Sequence, residues 1–220
     1  MTGIKLCGLS RPCDVEAVNR LKPEYIGFVF AGKSKRYVAP ELAAELKKLL
    51  DPDILAVGVL VNEAPERAAG LLNAGIIDMV QLHGNEDEAY IRQLRAFTRK
   101  PLIKAFRIGT ERDAEAAEAC SADYILLDPG AGEGRAFDWR LAKAIRRPYF
   151  LAGGLNVGNV EAAISQLRPF AVDVSSGIET NGRKDPLKME AFVAAVRKAD
   201  RERGWDRARL GDCGSPDEAG

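Results

Sequence analysis

Eight short β-rich runs alternate with eight amphipathic helical stretches along this chain, and no break in composition interrupts them. The runs are Ile4–Cys7, Tyr25–Phe30, Leu55–Val61, Met79–Leu82, Leu102–Ala105, Tyr124–Leu127, Tyr149–Ala152 and Ala171–Val174. The helical stretches are Asp14–Leu21, Pro40–Leu50, Pro65–Ala74, Glu86–Thr98, Glu111–Cys120, Trp139–Ile145, Val157–Gln166 and Pro186–Arg203. Strands that alternate with helices in this way build parallel sheets, because each crossover helix must cover a sheet face. Eight units of even length predict a single-domain (β/α)8 barrel, an α/β fold, over residues 1–203. An open doubly wound sheet is the competing architecture. Asn85 and Asn156 are expected helix N-caps, and Asp185-Pro186 supplies a cap followed by proline in the first turn. Residues 204–220 are polar and rich in turn formers, and are expected to form a mobile tail.

Composition enters mainly by exclusion. Lysine plus arginine equals aspartate plus glutamate, 32 of each, so nothing points to nucleic acid or an anionic membrane. No apolar stretch is long enough to span a bilayer, and no charged-then-apolar leader opens the chain. The four cysteines, Cys7, Cys13, Cys120 and Cys213, have unrelated spacings, and there is one histidine. That pattern fits neither a disulfide framework nor a zinc site, and no metal is expected. A reducing cytoplasm is the expected compartment.

Two strand ends carry glycine: Ala152-Gly153-Gly154 and Ser175-Ser176-Gly177. Glycine admits a close backbone approach, and N–H groups at the start of a helix attract an anion. The adjacent turns of the last two units predict one phosphate site, and hence a phosphorylated small molecule as ligand.

In such a barrel the active site lies at the carboxyl ends of the strands. The two-residue strand period puts Lys5 and Cys7 on one side, with Cys7 at the top. A thiolate there can act as a base, and a cationic neighbour favours its ionisation; a buried small hydrophobe is the alternative. The sixth strand ends in Asp128, either a turn residue before Pro129 or a proton donor whose pKa an enclosed site raises. The fourth strand puts Gln81 and His83 on one face, His83 being either a hydrogen-bonded structural residue or a participant. Arg36, in the basic segment Lys33-Ser34-Lys35-Arg36, is either solvated or a bidentate clamp for a carboxylate. An inward Asp173 needs a partner, either Lys5 or a donor on the substrate.

Taken together, these segments resemble the phosphoribosylanthranilate isomerase family of tryptophan biosynthesis. The likeness covers about 195 residues and rests on Lys5-Leu6-Cys7-Gly8, Ser34-Lys35-Arg36, Gln81-Leu82-His83-Gly84, Leu126-Leu127-Asp128, Phe137-Asp138-Trp139, Ala152-Gly153-Gly154-Leu155-Asn156, Asp173-Val174-Ser175-Ser176-Gly177-Ile178-Glu179 and Gly182-Arg183-Lys184-Asp185. The resemblance implies an Amadori rearrangement by general acid–base catalysis without a cofactor. It implies Cys7 as base, Asp128 as acid, and Arg36 on the anthranilate carboxylate. It further implies Gly153, Gly154, Asn156, Ser175, Ser176 and Gly177 around the phosphate, with His83 and Asp173 orienting the substrate. Lys35 stands where the family usually has proline, and Pro129-Gly130-Ala131-Gly132-Glu133-Gly134 replaces a glycine-glycine-threonine-glycine run. Monomer and homodimer are both compatible with the sequence.

Rival readings are a Schiff-base aldolase through Lys5 or Lys104, another phosphate-binding barrel isomerase or lyase, and a non-catalytic ligand-binding barrel. The last has no need of Cys7 and Asp128 together.

Overall fold

In the computed structural model the described residues are 1–128, 139–202 and 204. The runs Pro129–Gly134 and Phe137-Asp138, and the tail expected at 204–220 apart from Gly204, lie outside them.

The eight apolar runs are strands: β1 (Gly3–Cys7), β2 (Tyr25–Val29), β3 (Leu55–Leu60), β4 (Met79–Leu82), β5 (Leu102–Arg107), β6 (Tyr124–Asp128), β7 (Tyr149–Leu151) and β8 (Ala171–Val174). All pair in parallel with their sequence neighbours, and β8 pairs with β1 to close a barrel, with Lys5 opposite Asp173. The open-sheet alternative is thereby excluded. Around the strands run α1 (Pro12–Leu21), α2 (Pro40–Leu49), α3 (Pro65–Asn73), α4 (Glu88–Arg95), α5 (Glu111–Ala119), α6 (Trp139–Lys143), α7 (Val160–Leu167) and α8 (Pro186–Glu202). A short hairpin of β9 (Glu179–Thr180) and β10 (Arg183–Lys184) follows β8.

Local chemistry explains the helix starts. Proline opens α1, α2, α3 and α8, where its fixed φ suits the first turn and its missing N–H costs nothing. Asp185 caps α8, accepting from the N–H groups of Leu187 and Lys188 at 3.0 and 3.3 Å. Two expected caps are corrected. The cap of α4 is Asp87, which accepts from the Tyr90 N–H at 2.9 Å. Glu86 is held back from that helix by buried contacts of its own, so Asn85 lies in the loop. At α7, Asn156 belongs to a polar turn that accepts from the Gly158 N–H, and the helix starts later, at Val160.

Strand alternation divides the core in two. Residues such as Ile4, Leu6, Ile26, Val80 and Val172 face outward into the layer beneath the helices. Inside the barrel, Val57, Met79, Ile103, Leu126, Phe150 and Ala171 form a packed lower layer. Tyr25, Tyr124, Phe150 and Phe170 close its floor with ring centroids 5.1 to 5.8 Å apart. The upper interior is not filled this way, and it is where the polar strand ends converge.

Candidate active site

Cys7, Arg36, Gln81, His83, Asp128, Gly153, Gly154, Asp173, Ser175 and Ser176 line one cavity of about 470 Å3 at the carboxyl ends of the strands. They come from six different strands or the loops after them, so only closure of the barrel brings them together. The expected base and acid, Cys7 and Asp128, thus face a common space. A larger groove of about 680 Å3 runs between α5 and α6 on the outer wall. Its described lining carries no pairing of thiol, carboxyl and glycine turns, so the mouth is the better reactive site.

The base wall is built around glycine. A Cβ on Gly27, which pairs with Cys7 across the sheet, would stand 2.6 Å from the Cys7 Sγ. The thiol occupies the space a side chain would take. Burial pushes the Cys7 thiol up, and Lys5 beside it does not fully offset that, so without ligand the thiol form dominates.

Lys5 is fully buried in mid-barrel, with Nζ donating to Gln81 Oε1 at 2.7 Å and Asp173 Oδ2 at 3.0 Å. Burial works to discharge the ammonium, but Asp173 and Cys7 outweigh it and hold its pKa above the usual lysine range. A charged, fully engaged ammonium is not a Schiff-base nucleophile. Lys104 is equally committed, donating to the Gly84 carbonyl at 2.7 Å and to Glu86 at 2.9 Å. Glu86 in turn accepts from the N–H groups of Asn62 and Gly84, which pins the loop that carries His83. The aldolase reading loses both of its lysines.

On the acid wall, His83 Nε2 lies 4.0 Å from Asp128 Oδ2. Burial lowers the His83 pKa, and the nearby Asp128 only partly opposes that. Asp173 has one oxygen on Lys5, while Oδ1 is buried with no hydrogen-bond partner among the described residues. A buried bare carboxylate oxygen is costly unless a ligand supplies a donor.

Four of the six residues expected around a phosphate line the rim of this cavity. Gly153 and Gly154 both have left-handed backbones, φ +82° and +68°, which side-chain-bearing residues seldom adopt. They line the cavity with Ser175 and Ser176, whereas Asn156 and Gly177 are not among its lining residues. The Asn156 side chain turns back on its own loop, with Nδ2 donating to the Gly154 carbonyl at 3.2 Å. Gly177 packs against the Leu155 backbone.

Arg36 lines the cavity and is already paired on one edge. Its Nε and Nη2 donate to the two oxygens of Glu179 at 2.6 and 2.8 Å, so that edge of the guanidinium is taken. A carboxylate on the substrate would meet the other edge, Nη1 with Nη2. Lys184 Nζ also donates to Glu179 at 2.6 Å and to the Ser175 carbonyl at 2.9 Å. Although burial opposes its charge, the Arg36 and Lys184 hydrogen bonds bring the Glu179 carboxyl down to about 2. The hairpin β9–β10 therefore ties the second loop to the last one.

The sequence pattern of the N-(5'phosphoribosyl)anthranilate (PRA) isomerase family matches residues 4–195, from β1 into α8. This chain belongs to the phosphoribosylanthranilate isomerase family. It is 45% identical over 202 residues to the enzyme named N-(5'-phosphoribosyl)anthranilate isomerase in Endomicrobium trichonymphae, covering 90% of this chain and 99% of that one. It is similar to a phosphoribosylanthranilate isomerase solved with reduced 1-(o-carboxyphenylamino)-1-deoxyribulose 5-phosphate, at TM-score 0.80 and 37% identity over 90% of this chain and 100% of that one. It is also similar to monomers generated from the dimeric phosphoribosylanthranilate isomerase of Thermotoga maritima, at TM-score 0.80, 38% identity and the same coverage.

Within this phosphoribosylanthranilate isomerase barrel, four residues support the site without having been assigned a part in it from sequence: Lys5 and Gln81, read as neighbours on the strands of Cys7 and His83, and Glu179 and Lys184, present only within family segments. All but Gln81 are charged side chains at least nine-tenths buried, and Gln81 is 1% exposed. The signal for Gln81 was its place in register below His83. Glu179 and Lys184 lie in two of the family segments, but their pairing with Arg36 depends on how the hairpin folds back.

Proposed function

We propose that this chain converts N-(5-phosphoribosyl)anthranilate to 1-(2-carboxyphenylamino)-1-deoxyribulose 5-phosphate, the Amadori step of tryptophan biosynthesis. The observation that carries the reading is that Cys7 and Asp128 line one cavity whose rim is made by the glycine turns after β7 and β8. Asp128 gives a proton to the furanose ring oxygen as the bond from that oxygen to C1′ breaks, leaving a Schiff base to the anthranilate nitrogen. Cys7 reacts from its minor thiolate form, which the Lys5 ammonium beside it favours. The thiolate takes the C2′ proton, and the electrons of the C2′–H bond form the enolamine that tautomerises to the ketone. The two steps need one base and one acid on opposite faces of the sugar, which the opposite walls supply.

Binding follows from the same lining. The phosphate sits against Gly153, Gly154, Ser175 and Ser176, where backbone N–H groups can approach an anion closely. The anthranilate carboxylate takes the outer edge of Arg36. Asp173 Oδ1 accepts from a substrate hydroxyl or amine, which satisfies an oxygen that the described residues leave without a partner. His83 orients the sugar beside Asp128. Gly177 and Asn156 shape the rim without lining the cavity.

The reading extends to organisation. One catalytic barrel domain is assigned to residues 1–203, and residues 204–220 are polar in sequence. The chain works as a monomer or homodimer in a reducing cytoplasm, and no helix among the described residues is long and apolar enough to cross a membrane.

The test follows loss of anthranilate fluorescence with the substrate made in situ. The wild-type chain is expected to turn it over. Cys7→Ala and Asp128→Asn are each expected to lower kcat by about 100-fold or more while product binding survives. Near-full rates in both variants would remove the assigned roles.

A further inference from the structure

His83 is joined to the buried lysine through one side chain, and the chemistry of that side chain is decisive. Lys5 Nζ lies 2.7 Å from the Gln81 oxygen. An ammonium only donates, so the Gln81 oxygen must face Lys5 and its NH2 must face the opposite way. That NH2 lies 2.8 Å from His83 Nδ1. An amide NH2 cannot accept, so the contact requires an unprotonated Nδ1. Neutral His83 then carries its hydrogen on Nε2, the atom 4.0 Å from Asp128 Oδ2.

We propose that Lys5 and Gln81 are positioning residues that hold His83 as the neutral Nε2–H tautomer turned toward Asp128. The inference rests on the acid role of Asp128 given above. A general acid must keep its proton until the ring opens and then be stabilised as a carboxylate. A neutral N–H donor supports the carboxylate as it forms. An imidazolium would add a full positive charge and draw the proton off beforehand. The same contact opposes that imidazolium, because a protonated Nδ1 would face the Gln81 NH2, donor against donor. The gap to Asp128 is longer than a hydrogen bond, as is common before substrate tightens an acid–base site.

The surroundings act in the same direction. His83 is faced by Asp128 on β6, Lys104 on β5, Lys5 on β1 and Asp173 on β8, besides Gln81 on its own strand. Burial, Lys5 and Lys104 favour the neutral ring, while Asp128 and Asp173 favour the charged one; the neutral side prevails. Lys5 is needed because, among the described residues, its ammonium is the donor that fixes which end of the Gln81 amide faces His83. Without an ammonium below it, that amide is free to turn over and offer its oxygen to a protonated Nδ1.

His83 is the only histidine in the chain, so the imidazole 15N resonances of histidine-labelled protein report on it alone. Near neutral pH the wild type is expected to show a protonated Nε2 and a bare Nδ1. A protonated Nδ1 would overturn the proposal, and this measurement needs neither a variant nor the substrate. Gln81→Glu sets an acceptor against Nδ1 and is expected to shift the hydrogen onto it. The same variant is expected to lower kcat roughly tenfold or more while KM changes by less than about threefold. An unchanged kcat alongside a shifted tautomer would also overturn the positioning role. Lack of isomerase activity in the wild type would instead remove the functional reading and leave the tautomer measurement standing.

Discussion

Gly177 presses on the backbone of Leu155 so closely that a Cβ built on it would stand 2.0 Å from the Leu155 carbonyl oxygen. The loop after β8 is thereby locked to the loop after β7, and the two glycine turns form one rim. A methyl group at this position cannot be absorbed by a rotamer change, because its neighbour is backbone. Gly177→Ala is expected to push the loops apart, raising KM at least about tenfold with a smaller fall in kcat, and costing about 1–3 kcal/mol of stability. Steady-state kinetics and denaturant unfolding measure the two effects. An unchanged KM would mean that the rim does not hold the phosphate.

Arg36 offers only one edge to the cavity, because Glu179 holds the other with bonds of 2.6 and 2.8 Å. Arg36→Met keeps much of the side-chain length but removes the charge and the donors. It is expected to raise KM by about tenfold or more, with kcat reduced less, as uniform binding is lost. Product affinity, measured by titration, should weaken by a similar factor. Unchanged affinity would remove the carboxylate clamp.

Glu179 makes the stability of the last loop pH-dependent. Its pKa is brought from an ordinary 4.5 to about 2 in the folded chain. Between those values the unfolded chain binds more protons, so this stabilisation is complete above the higher value and disappears as the pH falls through the lower one. Glu179→Gln is expected to cost on the order of 2 kcal/mol near neutral pH, the scale of lost hydrogen bonds to a charged group. The difference from wild type should shrink toward zero as the pH approaches 2. Chemical unfolding at a series of pH values checks this; a constant difference would contradict it.

Burial pushes the Cys7 thiol up, so without ligand little of it is thiolate near neutral pH. Alkylation by iodoacetamide, followed on the peptide that carries Cys7, is expected to be slow at pH 7 and to accelerate as the pH rises past the ordinary thiol range. Exposed Cys13 supplies an internal control, and should react faster at pH 7. Rapid modification of Cys7 at that pH would show that Lys5 offsets burial after all.

Much of the site was legible before any coordinates. A strand turns alternate side chains to opposite faces, so Cys7, His83, Asp128 and Asp173 could be placed at the mouth by counting back from strand ends. Helix starts were less legible. Asn85 and Asn156 have the composition of caps, yet each lies in a loop, because Asp87 and the turn before Val160 set the helices instead. Local propensity marks where a polar turn can occur, and tertiary contacts choose the residue that makes it. Arg36 shows the same limit. Its charge and its place in the second loop were readable, but the Glu179 that takes two of its five N–H donors lies 143 positions away.

The order of apolar and polar residues was enough to determine eight βα units, their parallel arrangement and the identity of the inward side chains. These depend on periodicities of a few residues and on burial, both of which are local properties of a chain. Closure of β8 onto β1 decided the rest. It set Lys5 beside Asp173, 168 positions apart, and beneath Gln81, 76 positions away. Register across a closed sheet comes from packing the whole ring at once. No spacing along the chain therefore encodes which buried charge meets which partner, or which nitrogen of His83 faces Asp128.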